Sequence, residues 1–167
     1  MTELEFLSPD RARPEDGFDP LFRSPLERAL QDASPGVRDL SRSGKLELRG
    51  VLDGADFPPE AEVVRLTAHR ALVLCRAEEL ASLRTELRER FPSVVDLTGA
   101  LAGVQVRGEQ LLRRLTDLNL AALPAAGQVA RVPATVLRDG EEFRIFFPQE
   151  YGTYVAEVIL DALEGLP

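Results

Sequence analysis

The chain has 167 residues, a length that fits one domain able to bury roughly 70% of its unfolded surface without metal or disulfide support. Asp and Glu number 28 against 20 Lys and Arg, so the net charge of −8 disfavours binding to a nucleic-acid backbone. Cys75 and His69 are the single cysteine and the single histidine, which excludes an internal disulfide, a cysteine-rich metal cluster and a paired-histidine zinc site. The sequence has no apolar run long enough to cross a bilayer and no basic leader, so we expect a cytoplasmic protein without a membrane partner.

Residues 1–23 are predicted to form a proline-rich arm ahead of a single domain at residues 24–167. Three prolines interrupt the arm, and it shows neither helical nor strand periodicity. Four apolar side chains are unusual for a free tail, namely Phe6, Phe18, Leu21 and Phe22. They either pack on the surface of the domain or dock onto a partner chain.

The rest of the chain alternates between strand and helix patterns. The sequence SPLE at residues 24–27 predicts a helix start, because Ser24 can cap the helix and Pro25 suits its first position. Period-two alternation, beginning with a half-buried strand from Lys45, predicts strands at residues 45–52, 63–66, 71–75, 94–97, 102–107, 128–138 and 143–147. Apolar residues at helical spacing predict helices at residues 77–90, 108–118 and 149–163, with Tyr151 on the buried face of the last.

The order of these elements predicts an α+β fold of two ferredoxin-like halves, with antiparallel sheets and helices on the outer faces. The dipeptide Asp139-Gly140 predicts a two-residue hairpin turn of a primed type, with both central residues at positive φ.

Several segments in one order and spacing resemble the folate-binding domain of the glycine-cleavage T-protein superfamily. They are VVDLT at residues 94–98, VQVRGE at 104–109, LLRRL at 111–115, LNL at 118–120 and PAAG at 124–127. SPL at residues 24–26, LELRG at 46–50 and PQEYGTY at 148–154 are similar to segments of the sarcosine oxidase gamma subunit family.

The resemblance implies a small subunit or folate-binding module that is not catalytic alone. It would support the oxidative demethylation of sarcosine, as an oxidoreductase subunit in one-carbon metabolism. Its partner would be a larger flavin-containing oxidase subunit or a second copy of itself, with no tightly bound cofactor and with tetrahydrofolate as a weaker ligand. The alternative is a stand-alone tetrahydrofolate-dependent aminomethyltransferase-like enzyme.

Three residues are candidates for a folate pocket. The resemblance puts Asn119 where the T-protein has an aspartate that assists proton transfer, and an amide cannot act as a general acid or base. Asp96 either lines a pocket or caps the turn after its strand. Arg131 either clamps a carboxylate tail or occupies a solvent-facing strand position. No catalytic residue and no metal ligand is predicted.

The arm gives the first testable prediction. Deleting residues 1–22 is expected to leave the cooperative unfolding transition intact and to weaken association with a partner chain, because four apolar side chains offset the cost of ordering only a few residues. Thermal unfolding followed by circular dichroism and co-purification would measure the two effects. A truncated chain that fails to fold would show that the arm belongs to the core.

Overall fold

The structure is a computed structural model that describes residues 23–31 and 36–166. Nearly all of the predicted arm therefore lies outside the described residues. Within them, the chain forms nine strands and three α-helices. The strands are β1 (Val37–Asp39), β2 (Gly44–Arg49), β3 (Glu62–Thr67), β4 (Arg70–Cys75), β5 (Ser93–Asp96), β6 (Leu101–Arg107), β7 (Ala125–Val129), β8 (Val132–Asp139) and β9 (Glu142–Pro148). The helices are α1 (Leu80–Arg90), α2 (Glu109–Leu115) and α3 (Gly152–Glu164).

The strands form two antiparallel sheets. One has five strands in the order β1-β6-β9-β8-β7, and the other has four in the order β3-β4-β2-β5. In the smaller sheet, β4 and β5 run parallel on either side of β2 and are connected through α1, which makes a split β-α-β unit. This is a building block of ferredoxin-like folds. The finer expectation of two complete ferredoxin-like halves stays a prediction.

The two sheets pack against each other, and the helices cover their outer faces. Leu83 and Leu87 of α1 share a core with the outer face of the four-stranded sheet. Helices α2 and α3 share the largest core with the outer face of the five-stranded sheet. A third core joins the inner faces, where Leu72 and Leu74 of one sheet meet Phe146 of the other. The predicted α+β class, with antiparallel sheets and outer helices, is therefore confirmed.

Two predicted elements are wrong. The segment at residues 24–31 forms hydrogen-bonded turns rather than a helix, although Ser24 Oγ does accept a bond of 3.1 Å from the amide of Leu26. The single strand predicted at residues 128–138 is instead a hairpin, in which β7 and β8 turn at Ala130 and Arg131. These two residues have φ of 49° and 64°, a conformation that is usually taken by Gly, Asn or Asp.

Two smaller expectations also need correction. The hairpin between β8 and β9 pairs Asp139 with Glu142, so its central residues are Gly140 and Glu141. Gly140 alone takes a positive φ, of 60°, as the first central residue of a type II′ turn does. Tyr151 is 42% exposed rather than buried, because it lies in the 3₁₀ turn before α3.

No helix in residues 23–31 and 36–166 is long and apolar enough to span a membrane.

Close packing between β6 and β9 gives a prediction for Gly103, which pairs directly with Phe146 in the five-stranded sheet. A β-carbon at this position would lie 2.8 Å and 2.9 Å from ring carbons of Phe146 and 3.1 Å from Cβ of Leu40. Gly103→Ala is therefore expected to lower the free energy of unfolding by about 1–3 kcal/mol. Urea denaturation would measure the loss.

Gly99→Ala is the matched control, because a β-carbon there would meet no atom within 4 Å. Its effect is expected to stay within about 0.5 kcal/mol. Equal stability of the two variants would contradict the close contact between Gly103 and Phe146.

Candidate functional site

Strand β2 has both faces buried, which corrects the prediction of a half-buried strand. Leu46 and Leu48 face α1, while Lys45 and Glu47 face the five-stranded sheet. Lys45 is 0% exposed and Glu47 is 4% exposed. The alternation of apolar and charged residues thus reflects two different buried environments rather than a core face and a solvent face.

Lys45 is the only lysine in the sequence. Its Nζ donates hydrogen bonds of 2.9 Å to the carbonyl of Ser41 and 2.7 Å to the carbonyl of Ser43, and it lies 6.0 Å from the ring centroid of Phe146. Burial lowers the pKa of Lys45 to about 8, against the opposing effect of Asp39 and Asp96. The amine therefore ties the turn between β1 and β2 to the inner layer.

Glu47 joins two arginines that would otherwise repel each other. Arg49 and Arg70 are direct partners across β2 and β4. Glu47 Oε1 accepts from Arg49 Nε at 2.5 Å, and Glu47 Oε2 accepts from Arg70 Nε at 2.8 Å and Nη2 at 2.5 Å. Burial would raise the pKa of Glu47, but the hydrogen bonds from Arg70 and Arg49 outweigh it and hold the pKa below its ordinary value. The buried carboxylate is therefore charged at neutral pH.

A second ion pair connects the two sheets directly. Arg144 of β9 donates from Nη1 and Nη2 to the two carboxylate oxygens of Glu62 on β3, each at 2.5 Å. Hydrogen bonding to Glu62 raises the pKa of Arg144. Both residues line a cavity of about 450 Å³ on one side and a cavity of about 420 Å³ on the other. The pair is therefore the partition between two clefts of the inner layer.

Asp96 caps the turn after β5, the structural alternative of the two predicted for it. Its Oδ1 accepts from the amide of Thr98 at 3.0 Å, and its Oδ2 accepts from Arg84 Nη1 at 3.0 Å. Burial would raise the pKa of Asp96, but the bonds from Thr98 and then Arg84 hold it below its ordinary value. A carboxylate with a lowered pKa is a poor general acid at neutral pH.

Asn119 and Arg131 lie on other elements than Asp96. Asn119 is exposed, and its Oδ1 caps the 3₁₀ turn Leu120–Ala122 by accepting from the amide of Ala121 at 3.2 Å. Arg131 is at the tip of the β7–β8 hairpin, so the prediction of a strand position is wrong. Among the described residues, no hydrogen bond or ion pair joins any two of these three. A folate pocket built from Asp96, Asn119 and Arg131 stays a prediction.

The remaining reactive side chains have simpler environments. Cys75 is a buried free cysteine, as predicted, and burial raises the pKa of its thiol, which keeps it unreactive at neutral pH. His69 lies exposed in the turn between β3 and β4. In residues 23–31 and 36–166, no three His, Cys, Asp or Glu side chains form a group that could hold a metal ion.

The charged residues of the inner layer, which sequence reasoning missed, are Lys45, Glu47, Arg70 and Arg144. Period-two alternation predicted a half-buried strand with Glu47 on its solvent side, and Arg70 fell between the predicted strands at residues 63–66 and 71–75. The second sheet that packs over this layer comes from distant parts of the chain. One feature of the sequence did single out Lys45. Lys45 is the only lysine among 20 basic residues, and it lies in the strand with the most regular alternation.

No protein-family model and no curated protein matches this sequence. Solved structures do match its fold. A chain of the heterotetrameric sarcosine oxidase from Corynebacterium sp. U-96 superposes with a TM-score of 0.71 at 17% identity, over 87% of this chain and 96% of that chain. The glycine cleavage system aminomethyltransferase T from Bartonella henselae gives a TM-score of 0.58 at 18% identity, over 81% of this chain and 48% of that one.

The aspartokinase alpha and beta subunit structure gives a TM-score of 0.53 at 12% identity, over 79% of this chain and 99% of that chain. At these identities the likeness shows the fold alone. It confirms the fold that the sequence resemblance implied, because the protein has the fold of a sarcosine oxidase chain and of about half of an aminomethyltransferase T.

The buried amine gives a prediction for the pH dependence of stability. Because the pKa of Lys45 falls from 10.5 in the unfolded chain to about 8 in the fold, the unfolded chain binds more protons between these values. The free energy of unfolding is therefore expected to gain up to about 3 kcal/mol from Lys45 as the pH rises from 7 to 10.5. Denaturant titrations at several pH values would measure this gain.

Lys45→Met is expected to remove this part of the pH dependence while keeping the volume of the side chain. Because the sequence has one lysine, NMR of protein labelled at lysine Cε would follow the titration of that amine directly. A midpoint near 10.5 would contradict a buried, partly desolvated amine.

Proposed function

We propose that this protein is a small non-catalytic subunit of a multi-subunit amine oxidase, in which a larger flavin-containing chain oxidises sarcosine or a related N-methyl amine. The observation that carries the proposal is the coverage of the two structural matches. The fold accounts for 96% of one chain of a heterotetrameric oxidase but only 48% of the aminomethyltransferase. A fold that matches nearly all of an oxidase chain but only about half of the transferase supports an assembly role over the role of a complete transferase.

The chemistry of the predicted site residues supports the same role. Asp96 is ionised and engaged by Thr98 and Arg84, and Asn119 is an amide that caps a turn. General acid–base catalysis needs a group that titrates near the working pH and reaches the substrate. Lys45 titrates near that range but is fully buried, with its amine bonded to two backbone carbonyls.

Aminomethyl transfer with tetrahydrofolate is the second candidate, favoured by the match to aminomethyltransferase T. It requires tetrahydrofolate to bind to the isolated chain, and the proposed contacts are Asp96, Asn119 and Arg131. Calorimetric titration with tetrahydrofolate separates the candidates. Micromolar binding that is lost in Arg131→Gln would support the transferase or a folate-binding module.

The subunit proposal is tested with the tagged full chain returned to its native organism. We expect a flavin-containing chain to co-purify, recognised by its absorbance and by sarcosine-dependent hydrogen peroxide formation in the complex. An unrelated tagged protein is the control for adventitious capture.

The isolated chain is expected neither to oxidise sarcosine nor to transfer an aminomethyl group. Turnover by the isolated chain that falls on Asn119→Ala would overturn the proposal, and so would a native complex that contains no oxidase.

A further inference from the structure

A third cavity of about 270 Å³ lies between the two sheets, and its walls are mainly apolar. We name it the Glu47 groove, after the charged residue at its base. Both sheets contribute to its apolar lining, which includes Leu66, Leu72, Leu97, Leu101, Phe146 and Pro148. Leu66, Leu97 and Leu101 are each partly exposed, so the groove is accessible from solvent.

The polar side of the groove is the Glu47–Arg70 ion pair. Glu47 holds the guanidinium of Arg70 through Nε and Nη2, while Nη1 of Arg70 makes no hydrogen bond within the described part of the chain. The side chain of Arg70 is 52% exposed and that of Glu47 is 5% exposed. An arginine fixed on one edge by a buried carboxylate, with its other edge open, is oriented in advance to receive an anion.

The net charge of this cluster sets the sign and size of the ligand charge. One carboxylate of Glu47 faces the guanidinium groups of Arg49 and Arg70, which leaves a single positive charge. A monoanion compensates that charge, whereas a dianion such as phosphate would leave an uncompensated negative charge beside Glu47. A carboxylate also matches the planar guanidinium edge.

Glu47 is the buried charge of this cluster, because its side chain is 5% exposed, whereas those of Arg49 and Arg70 are 63% and 52% exposed. Removing a charge from water is costly, and the two arginines offset that cost. Here the buried charge lies beside unfilled apolar space, which is the combination found in small-molecule sites. The volume is below the usual range for drug-sized ligands, so a body of one or two rings fits it.

We propose that the Glu47 groove binds a small organic carboxylate with an apolar body of one or two rings, with Arg70 as the anchor for the carboxylate. The rings lie between the sheets against Leu72 and Phe146. This binding is additional to the proposed subunit role and does not require a partner chain. A test on the isolated full-length protein therefore succeeds or fails independently of the partner experiment.

The probe is indole-3-carboxylate, titrated into the full chain by isothermal calorimetry. We expect a dissociation constant on the order of 0.1 mM, which suits a ligand of this size. The neutral isostere indole-3-carboxamide is expected to bind at least about tenfold more weakly, because it loses the charge-assisted hydrogen bond.

Arg70→Gln is expected to weaken binding of indole-3-carboxylate by at least about tenfold. Arg49→Gln is the matched control, because Arg49 contacts the same carboxylate but is absent from the groove lining. Its affinity is expected to fall by less than that of Arg70→Gln, because Arg49→Gln removes the same charge from the cluster but no contact to the bound carboxylate. Amide chemical-shift changes in the unaltered protein should centre on Leu72 and Phe146, which keeps the test valid if either variant folds poorly.

The proposal is overturned if the unaltered protein binds no indole-3-carboxylate at millimolar concentration, or if the carboxamide binds equally well. Equal losses in the two arginine variants would also overturn it, since they would reduce the cluster to a structural ion pair. Amide chemical-shift changes centred away from the groove would also overturn it.

Discussion

Burial of both faces of both sheets is the constraint on which the rest of this structure depends. Each outer face meets helices and forms a continuous apolar core. The layer between the sheets has far less apolar material, with five buried apolar residues in its cluster against eighteen in the core that α2 and α3 share with the larger sheet, counted over the described residues. The inner layer therefore cannot close by hydrophobic packing alone, and charged side chains and cavities occupy the remainder.

The charged groups of this layer are stabilised in three different ways. Lys45 has backbone carbonyls as partners and responds to burial by a lower pKa. Glu47 has two arginines and stays charged, and Glu62 pairs with Arg144 through two parallel bonds. A buried charge without such partners would cost several kcal/mol. Of the three arrangements, the Arg144–Glu62 pair is the one that joins the two sheets.

The sequence predicted the elements that depend on local periodicity. Helices α1, α2 and α3 were found because their apolar residues recur at helical spacing, and Asp96 was correctly considered as a cap of the turn that follows it. The β7–β8 hairpin was missed because its turn residues, Ala130 and Arg131, lack the chemistry that usually marks positive φ. Sequence rules for turns do not include the tertiary contacts that stabilise such a turn. Here the hydroxyl of Tyr154 donates a hydrogen bond to the carbonyl of Ala130.

The candidate site was less predictable, because its geometry arises from register between distant segments. Arg49 and Arg70 are neighbours only through pairing of β2 with β4, and Phe146 reaches Lys45 only when the two sheets stack. The family resemblance pointed instead to Asp96 and Asn119, whose side-chain oxygens already accept hydrogen bonds from the turns that they cap. Proteins that share a fold share its layers of sheets and helices but not the chemistry of their sites, so the same scaffold can serve an oxidase subunit or a transferase. In this chain the layer between the sheets keeps charged residues, where packing alone would favour apolar ones.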